Sequence, residues 1–170
     1  GILVYYSLGW PIIYRAKRAG KSNKEFTLIK FRSMKNTTNH VSHHSGDDDP
    51  RITKLGKFIR QTKLDELPQL VNVLFGKMSI VGPRPETPEY IKLYSEEQMK
   101  ILNIRPGITD YASIEFSNLG DILKGDNPDK LYFEKVWDKK MKLRMKYTQE
   151  NNFFIDLKII FLTIMAIFKK

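Results

Sequence analysis

The chain contains no cysteine, which excludes a disulfide framework and any thiolate metal site, and suits a reducing compartment without establishing one. Histidine is scarce, and all three, His40, His43 and His44, fall in one polar stretch. With Ser, Asn and Asp around them and no other strong ligand pattern, they read as solvated loop residues to which no chemistry is assigned. Acidic residues are outnumbered, 19 against 29 Lys and Arg, leaving a formal net charge of +10. That balance favours an anionic partner, whether nucleic acid, an anionic lipid surface or a phosphorylated substrate, and charge alone does not choose among them. A basic segment followed by an apolar run and a small-residue cleavage site is absent, so no secretory signal is read. An initiator Met is absent too. The chain starts at Gly1 and enters Ile2, Leu3, Val4, Tyr5 and Tyr6 at once, as expected of a fragment preceded by further apolar residues.

What remains is enough for one core. A length of 170 residues with 41% hydrophobic content suits a single domain and makes two ordinary ones unnecessary. Residues 11–17 and 26–33 are short apolar-basic runs joined by the turn-rich Ala19-Gly20-Lys21-Ser22-Asn23-Lys24, a pattern that predicts a β-hairpin. In a strand over 26–33, side chains two apart share a face, so Lys30 and Arg32 are expected to project together. Residues 35–50 lack any hydrophobic period and predict a mobile loop. Thr53 is a plausible N-cap for an amphipathic helix carrying Leu55, Phe58 and Ile59 among Lys54, Lys57, Arg60 and Lys63. A second helix is expected over 68–75, opened by Pro68 and stopped by Gly76, which puts Asp65 and Glu66 at a helix N-terminus. Residues 90–102 and 131–147 predict further helices, with loop signals at Arg105-Pro106-Gly107 and over 120–128. The tail over 153–168 is apolar apart from Asp156, Lys158 and Thr163. Sixteen helical residues reach roughly 24 Å, short of a hydrocarbon core of roughly 30 Å, so the expectation is a membrane-surface or core-packing helix and not a span.

Asp65-Glu66, flanked by Arg60 and Lys63 before and Pro68 after, is the strongest candidate for chemistry. Adjacent carboxylates at a helix start also occur for structural reasons, since the macrodipole favours each by roughly 0.3–1 kcal/mol. A helix N-terminus with neighbouring cations is, however, also a phosphate site, and a carboxylate beside phosphate needs a reason. It can hold a divalent cation that neutralises a diphosphate, Mg²⁺ by its preference for oxygen ligands, or it can attack phosphorus itself. The second feature is Gly82-Pro83-Arg84-Pro85, where two prolines restrict the backbone on both sides of one guanidinium. A rigidly held Arg suits bidentate contact with a phosphoryl group, although such a tripeptide is more often a loop with an incidental Arg.

Taken in order and spacing, KFRSM, LDELPQL, GPRP and RPGIT resemble the bacterial sugar transferases, also called monotopic phosphoglycosyl transferases, and the likeness runs from about Gly9 to the C-terminal helix. The resemblance implies a small α/β (α+β) single catalytic domain over 1–170, with a short β-hairpin, several helices and membrane-associated amphipathic helices. Residues 1–10 would be the remnant of a membrane-proximal segment, and the family's N-terminal re-entrant membrane helix would be missing from this chain or cut at about Ile2. It further implies transfer of a sugar-1-phosphate from a UDP-sugar to undecaprenyl phosphate with release of UMP, at the cytosolic face of the bacterial cytoplasmic membrane. Such transfer is the first membrane step of glycoconjugate assembly. On this resemblance Asp65 is the nucleophile, Glu66 its partner, and Mg²⁺ the ion they hold. Lys30, Arg32, Arg60, Arg84 and Arg105 are the cations facing phosphate and nucleotide. Asp110, Tyr111 and Ser113 depart from the usual family pattern after RPGIT, which puts sugar selectivity in doubt, and Lys77 stands where the pattern has Asp. The identity of the sugar and the oligomeric state stay open.

Two other classes compete. A nucleic-acid-binding module is suggested by eight Lys and Arg against one acid in the first 35 residues, but no stacking aromatics interleave with cations as an RNP-like motif requires, and anionic lipid explains the charge equally well. A non-catalytic membrane-associated scaffold is supported by the amphipathic tail and the short start, and opposed by the coexistence of Asp65, Glu66 and Arg84.

Overall fold

The computed structural model describes residues 1–35 and 44–168. Helix α1 (Ile2–Leu8) leads into strands β1 (Ile13–Ala19) and β2 (Glu25–Phe31), the expected hairpin. The two pair antiparallel from Ile13 opposite Phe31 to Ala19 opposite Glu25. Phe26 and Leu28 are buried while Glu25 and Thr27 are exposed, so the period of two selects one inward face, on which Lys30 and then Arg32 follow.

Helix α2 (Lys54–Gln61) begins as expected, with Thr53 Oγ1 accepting the Gly56 N–H at 3.0 Å. Gly56 is there for contact as much as for helix: a Cβ on it would stand 2.0 Å from the Ser33 carbonyl oxygen. The helix ends where Lys63 takes a left-handed conformation (φ 60°), and a 3-10 turn over Leu64–Glu66 follows, then α3 (Gln69–Leu74). Asp65 and Glu66 therefore lie at the N-terminal side of α3 as expected, but in a separate tight turn of their own. The Glu66 and Leu67 N–H groups bond back to the Lys63 and Leu64 carbonyls, and Pro68 has no N–H to give. Asn72 clips α3 to the free edge of β2, accepting the Ile29 N–H at 3.2 Å and donating to the Thr27 carbonyl at 2.9 Å.

Strand β3 (Ser79–Val81) pairs in parallel with β4 (Gly107–Thr109), a second small sheet that the sequence did not announce. Glycine is required at this joint, because a Cβ on Gly107 would stand 2.1 Å from the Gly82 nitrogen. Between the strands, the helix expected over 90–102 is broken into α4 (Pro88–Ile91) and a 3-10 turn over Gln98–Asn103. The reason is local: Ser95 Oγ accepts the Gln98 N–H at 3.2 Å and Gln98 Oε1 accepts the Ser95 N–H at 3.0 Å, a reciprocal capping box that starts a new turn.

Helix α5 (Tyr111–Glu115) is capped by Asp110, α6 (Leu119–Ile122) occupies part of the stretch expected to be loop, and α7 (Pro128–Tyr132) runs through a π turn over Phe133–Trp137 into α8 (Asp138–Glu150). The helical run expected over 131–147 is thus present, starts earlier, and carries one bulge. Tyr90, Leu123, Tyr132 and Val136 form one buried cluster, and Phe26, Leu28 and Met78 another. Each fully buried apolar side chain of this size contributes about 1.5–3 kcal/mol.

Helix α9 (Phe153–Phe168) matches the expected tail. It has two characters. Ile159, with no exposed surface, packs against Val81 and Tyr147, and Thr163 Oγ1 meets Thr109 Oγ1 at 2.7 Å, while Phe154, Phe161 and Phe168 are exposed. Asp156 faces protein as well as water, accepting the Tyr147 hydroxyl at 2.7 Å. Among the described residues no helix is long and apolar enough to cross a membrane. His40 and His43, and most of the expected loop over 35–50, lie outside the described residues. His44 is not solvated as expected. Its ring stacks on Tyr132 with centroids 3.7 Å apart, and Nδ1 lies 2.7 Å from Asp129 Oδ1.

Candidate active site

The left-handed Lys63 ends α2 abruptly, and the turn it opens carries Asp65 inward, where the side chain is 4% exposed. Asp65 Oδ1 is buried and accepts no hydrogen bond among the described residues. Burial raises the Asp65 pKa, Lys30 opposes that rise, and the neighbouring Glu66 adds to it, with Arg60 and Lys63 opposing more weakly. Lys30, on the inward face of β2 with its ammonium over the Tyr14 ring at 5.3 Å, answers in kind: burial lowers its pKa and Asp65 resists. A desolvated carboxylate coupled to a desolvated ammonium is a site in which charge is expensive and a further anion would be welcomed by the cations.

Glu66 points to a different partner. Its two oxygens receive Arg84 as a fork, Nη1 to Oε2 at 2.6 Å and Nη2 to Oε1 at 2.7 Å, and Arg84 Nη1 also donates to the Ile108 carbonyl at 2.7 Å. Burial alone would raise the Glu66 pKa, but the Arg84 charge and hydrogen bonds outweigh it and hold the carboxyl at about 2. The same pair raises Arg84 above the ordinary arginine value against its burial. The guanidinium expected to face phosphate is engaged with the dyad itself, and in this arrangement it orients Glu66.

The other expected cations separate. Arg60, in the last turn of α2, lies within electrostatic reach of Asp65 and Lys30 and spends its guanidinium lightly, on Met34 Sδ at 3.6 Å and Ser45 Oγ at 3.2 Å. Arg32, 7% exposed, turns away: its Nη2 donates to the Leu8 carbonyl and to that of Gly9 at 2.7 Å, stapling the end of α1 to the hairpin. Arg105 is exposed, on the loop before β4, and its guanidinium makes no hydrogen bond to the described residues. Asp65, Glu66, Lys30, Arg60 and Arg84 are thus brought together, with Lys63 added, while Arg32 is committed to the α1 carbonyls; the Arg105 backbone lies against Gly82, two residues before Arg84, with its guanidinium exposed.

Sequence reasoning missed the support beneath Arg84. Asp110, with no exposed surface, accepts the Ser113 N–H at 2.7 Å on Oδ1 and the Arg84 backbone N–H at 3.3 Å on Oδ2. Glu86 is bonded by Lys140 and by Arg144, whose charges outweigh burial and hold its carboxyl well below the usual carboxylate range. Burial and Arg144 push Lys140 down to about 8 against the pull of Glu86. Asp110-x-x-Ser113 is a readable N-cap and Glu86 adjoins the GPRP run, whereas nothing local marks Arg144. Gln69 has no local mark either: it lies four residues after Asp65, is 1% exposed, and its amide has no hydrogen-bond partner among the described residues.

Among the described residues no three His, Cys, Asp or Glu side chains gather as a metal cage. A cation held by one or two carboxylates together with substrate phosphates needs no cage. The donor set fits that mode: Asp65 offers an unused oxygen, and a carboxylate forked by Arg retains lone pairs beyond the two it has committed.

The family model described as bacterial sugar transferase matches residues 1–170. An uncharacterized sugar transferase, EpsL, of Bacillus subtilis is 37% identical over 165 residues, covering 97% of this chain and 74% of the relative. The UDP-glucose:undecaprenyl-phosphate glucose-1-phosphate transferase of Escherichia coli is 39% identical over 158 residues, 91% of this chain and 32% of the relative. The UDP-N-acetylgalactosamine-undecaprenyl-phosphate N-acetylgalactosaminephosphotransferase of Aeromonas hydrophila is 33% identical over 172 residues, 98% of this chain and 37% of the relative. The chain thus spans about three quarters of the first relative and about a third of the other two.

Proposed function

The chain belongs to the bacterial sugar transferase family, and from that premise we propose that it transfers a sugar-1-phosphate from a UDP-sugar to undecaprenyl phosphate, releasing UMP. Relatives named for that reaction with UDP-glucose or UDP-N-acetylgalactosamine support the donor and acceptor classes. The observation that carries the reading is the buried Asp65 Oδ1, without a hydrogen-bond partner among the described residues, within electrostatic reach of Lys30, Arg60 and Lys63. Burial makes a carboxylate a better nucleophile than a solvated one but raises its pKa, and Lys30, Arg60 and Lys63 work against that rise by favouring the charged form.

In the proposed reaction Asp65 Oδ1 attacks the sugar-linked phosphorus, the bond to the bridging diphosphate oxygen breaks, and UMP leaves with the electron pair. An oxygen of undecaprenyl phosphate then attacks the same phosphorus and the acyl phosphate bond breaks, returning Asp65 as a carboxylate. Lys30 and Arg60 stabilise the charge spread over the phosphoryl oxygens in both steps. Glu66, fixed by Arg84, keeps an anionic side chain beside Asp65 at every working pH, since its pKa is held at about 2. Bound Mg²⁺ supplies neutralisation of the diphosphate, and Asp65 with the uncommitted lone pairs of Glu66 would hold it.

Exposed apolar side chains support an interfacial position at the cytosolic face of the bacterial membrane, where the acceptor resides. Ile2, Leu3 and Tyr6 on α1, Leu70 and Leu74 on α3, and Phe154, Phe161 and Phe168 on α9 are all at least 48% exposed, the kind of apolar side chain an interfacial helix buries among lipid head groups. The test is UMP release from a panel of UDP-sugars by the whole protein in detergent with undecaprenyl phosphate. The expected result is release with at least one donor, dependent on the acceptor for repeated turnover and abolished in Asp65→Asn. Release by Asp65→Asn at the wild-type rate would remove the proposed nucleophile.

A further inference from the structure

Arg144 lies in the middle of α8 with 1% of its surface exposed. A guanidinium so deep is retained only where its partners are well arranged, because desolvation of the charge must be offset. Two acids on two segments supply the arrangement. Nη1 donates to Glu86 Oε1 at 2.8 Å and to the Tyr94 hydroxyl at 3.2 Å, and Nε lies 3.6 Å from Asp110 Oδ2, an ion-pair contact longer than a hydrogen bond. Asp110 Oδ2 accepts the backbone N–H of Arg84, and the Glu86 carbonyl accepts the Ala19 N–H at 2.9 Å. The segment carrying Arg84 is therefore gripped on both sides, by Asp110 at residue 84 and by Arg144 and β1 at residue 86. Arg84 in turn holds both oxygens of Glu66.

We propose that Arg144 is a positioning residue for the dyad: through Asp110 and Glu86 it fixes the backbone from which Arg84 forks onto Glu66, and so sets where that carboxylate stands without itself touching substrate. The proposal rests on the reading that Asp65 and Glu66 carry the transfer. Arginine is needed because its nitrogens address two carboxylates from one planar group, whereas a lysine ammonium is a single point of charge that can remain opposite Glu86 but cannot span to Asp110 as well.

The experiment compares the whole protein in detergent with Arg144→Lys and with Asp110→Asn, the second cutting the same link from its other end while asparagine can still cap α5. Two readouts are taken: kcat and KM for UMP release, and amide hydrogen exchange at Arg84. Loss of register at the dyad is expected to lower kcat on the order of 10- to 100-fold in both variants, with KM for the UDP-sugar within about threefold of wild type. The Arg84 amide should exchange roughly tenfold faster or more, while the amides of β1 and β2 keep their protection. Unchanged Arg84 protection, or protection lost equally across the hairpin, overturns the proposal, the latter because it marks a merely structural role. If wild type releases UMP from no UDP-sugar, the functional reading fails on that result alone. The exchange pattern at Arg84 then still decides whether Arg144 governs this segment.

Discussion

Replacing Arg84 with Met removes the fork on Glu66 and leaves its buried carboxylate with only the more distant charges of Lys63 and Lys30. In the native protein Glu66 titrates at about 2 against an ordinary 4.5, and its side chain is only 12% exposed. A gap of about 2.5 corresponds to about 3 kcal/mol of stability, at about 1.4 kcal/mol for each pH unit. The sign follows from the direction. A depressed carboxyl pKa gives stability that is complete above the unfolded value and lost as pH falls through the folded one, so wild type should weaken between about pH 4.5 and pH 2. In Arg84→Met, burial is unopposed by its main counterweight and Glu66 should titrate above its ordinary value, so acid relieves the variant where it harms wild type. Urea unfolding across pH, followed by tryptophan fluorescence, should show the two proteins at least about 3 kcal/mol apart at neutral pH, the raised Glu66 pKa of the variant adding to the wild-type contribution, and within about 1 kcal/mol near pH 2. Glu66→Gln combined with Arg84→Met should recover much of the neutral-pH loss, since the stranded charge is gone. A difference between wild type and Arg84→Met that stays constant with pH would refute the reasoning.

Three further outcomes are expected. UMP release should stop in excess chelator and return with added Mg²⁺; full turnover in chelator contradicts the cation's role. On α9, Phe154 and Phe161 are 80% and 62% exposed and Ile159 is fully buried. Phe154→Ser with Phe161→Ser should therefore weaken vesicle binding while shifting stability by no more than about 0.5 kcal/mol per site, whereas Ile159→Ala should cost about 2–5 kcal/mol. Equal vesicle binding by the double Ser variant would remove α9 from the membrane surface. Gly56→Ala should lose about 1–3 kcal/mol, measured by thermal unfolding, because its Cβ would stand 2.0 Å from the Ser33 carbonyl oxygen.

Where local chemistry decides, the sequence was legible. Thr53 capped its helix, Lys-Ser-Asn turned the hairpin, and the period of two put Lys30 and Arg32 on the inward side. That both lie there did not foretell their separate partners, Asp65 for one and the α1 carbonyls for the other, because those contacts join residues more than twenty positions apart. The break at Ser95 was readable as a capping box and was masked by the helical spacing around it. The parallel pairing of β3 with β4 was not readable, since three-residue strands carry no periodicity and their register comes from the close approach of Gly82 and Gly107. At the site, Asp65 and Glu66 were found from their company of cations, but the tertiary fork fixed Arg84 on Glu66, and Arg144 reached the same loop from α8 with no local mark.

A covalent bond between Asp65 and the sugar phosphate is detected by omitting the lipid. The whole protein is incubated with a UDP-sugar labelled in the sugar and no undecaprenyl phosphate, then examined by intact-protein and peptide mass spectrometry. A phospho-sugar adduct on Asp65 is expected, formed with a burst of UMP no larger than the enzyme concentration, discharged on adding undecaprenyl phosphate and absent in Asp65→Asn. Complete turnover with sequential kinetics and no adduct on Asp65 would contradict it.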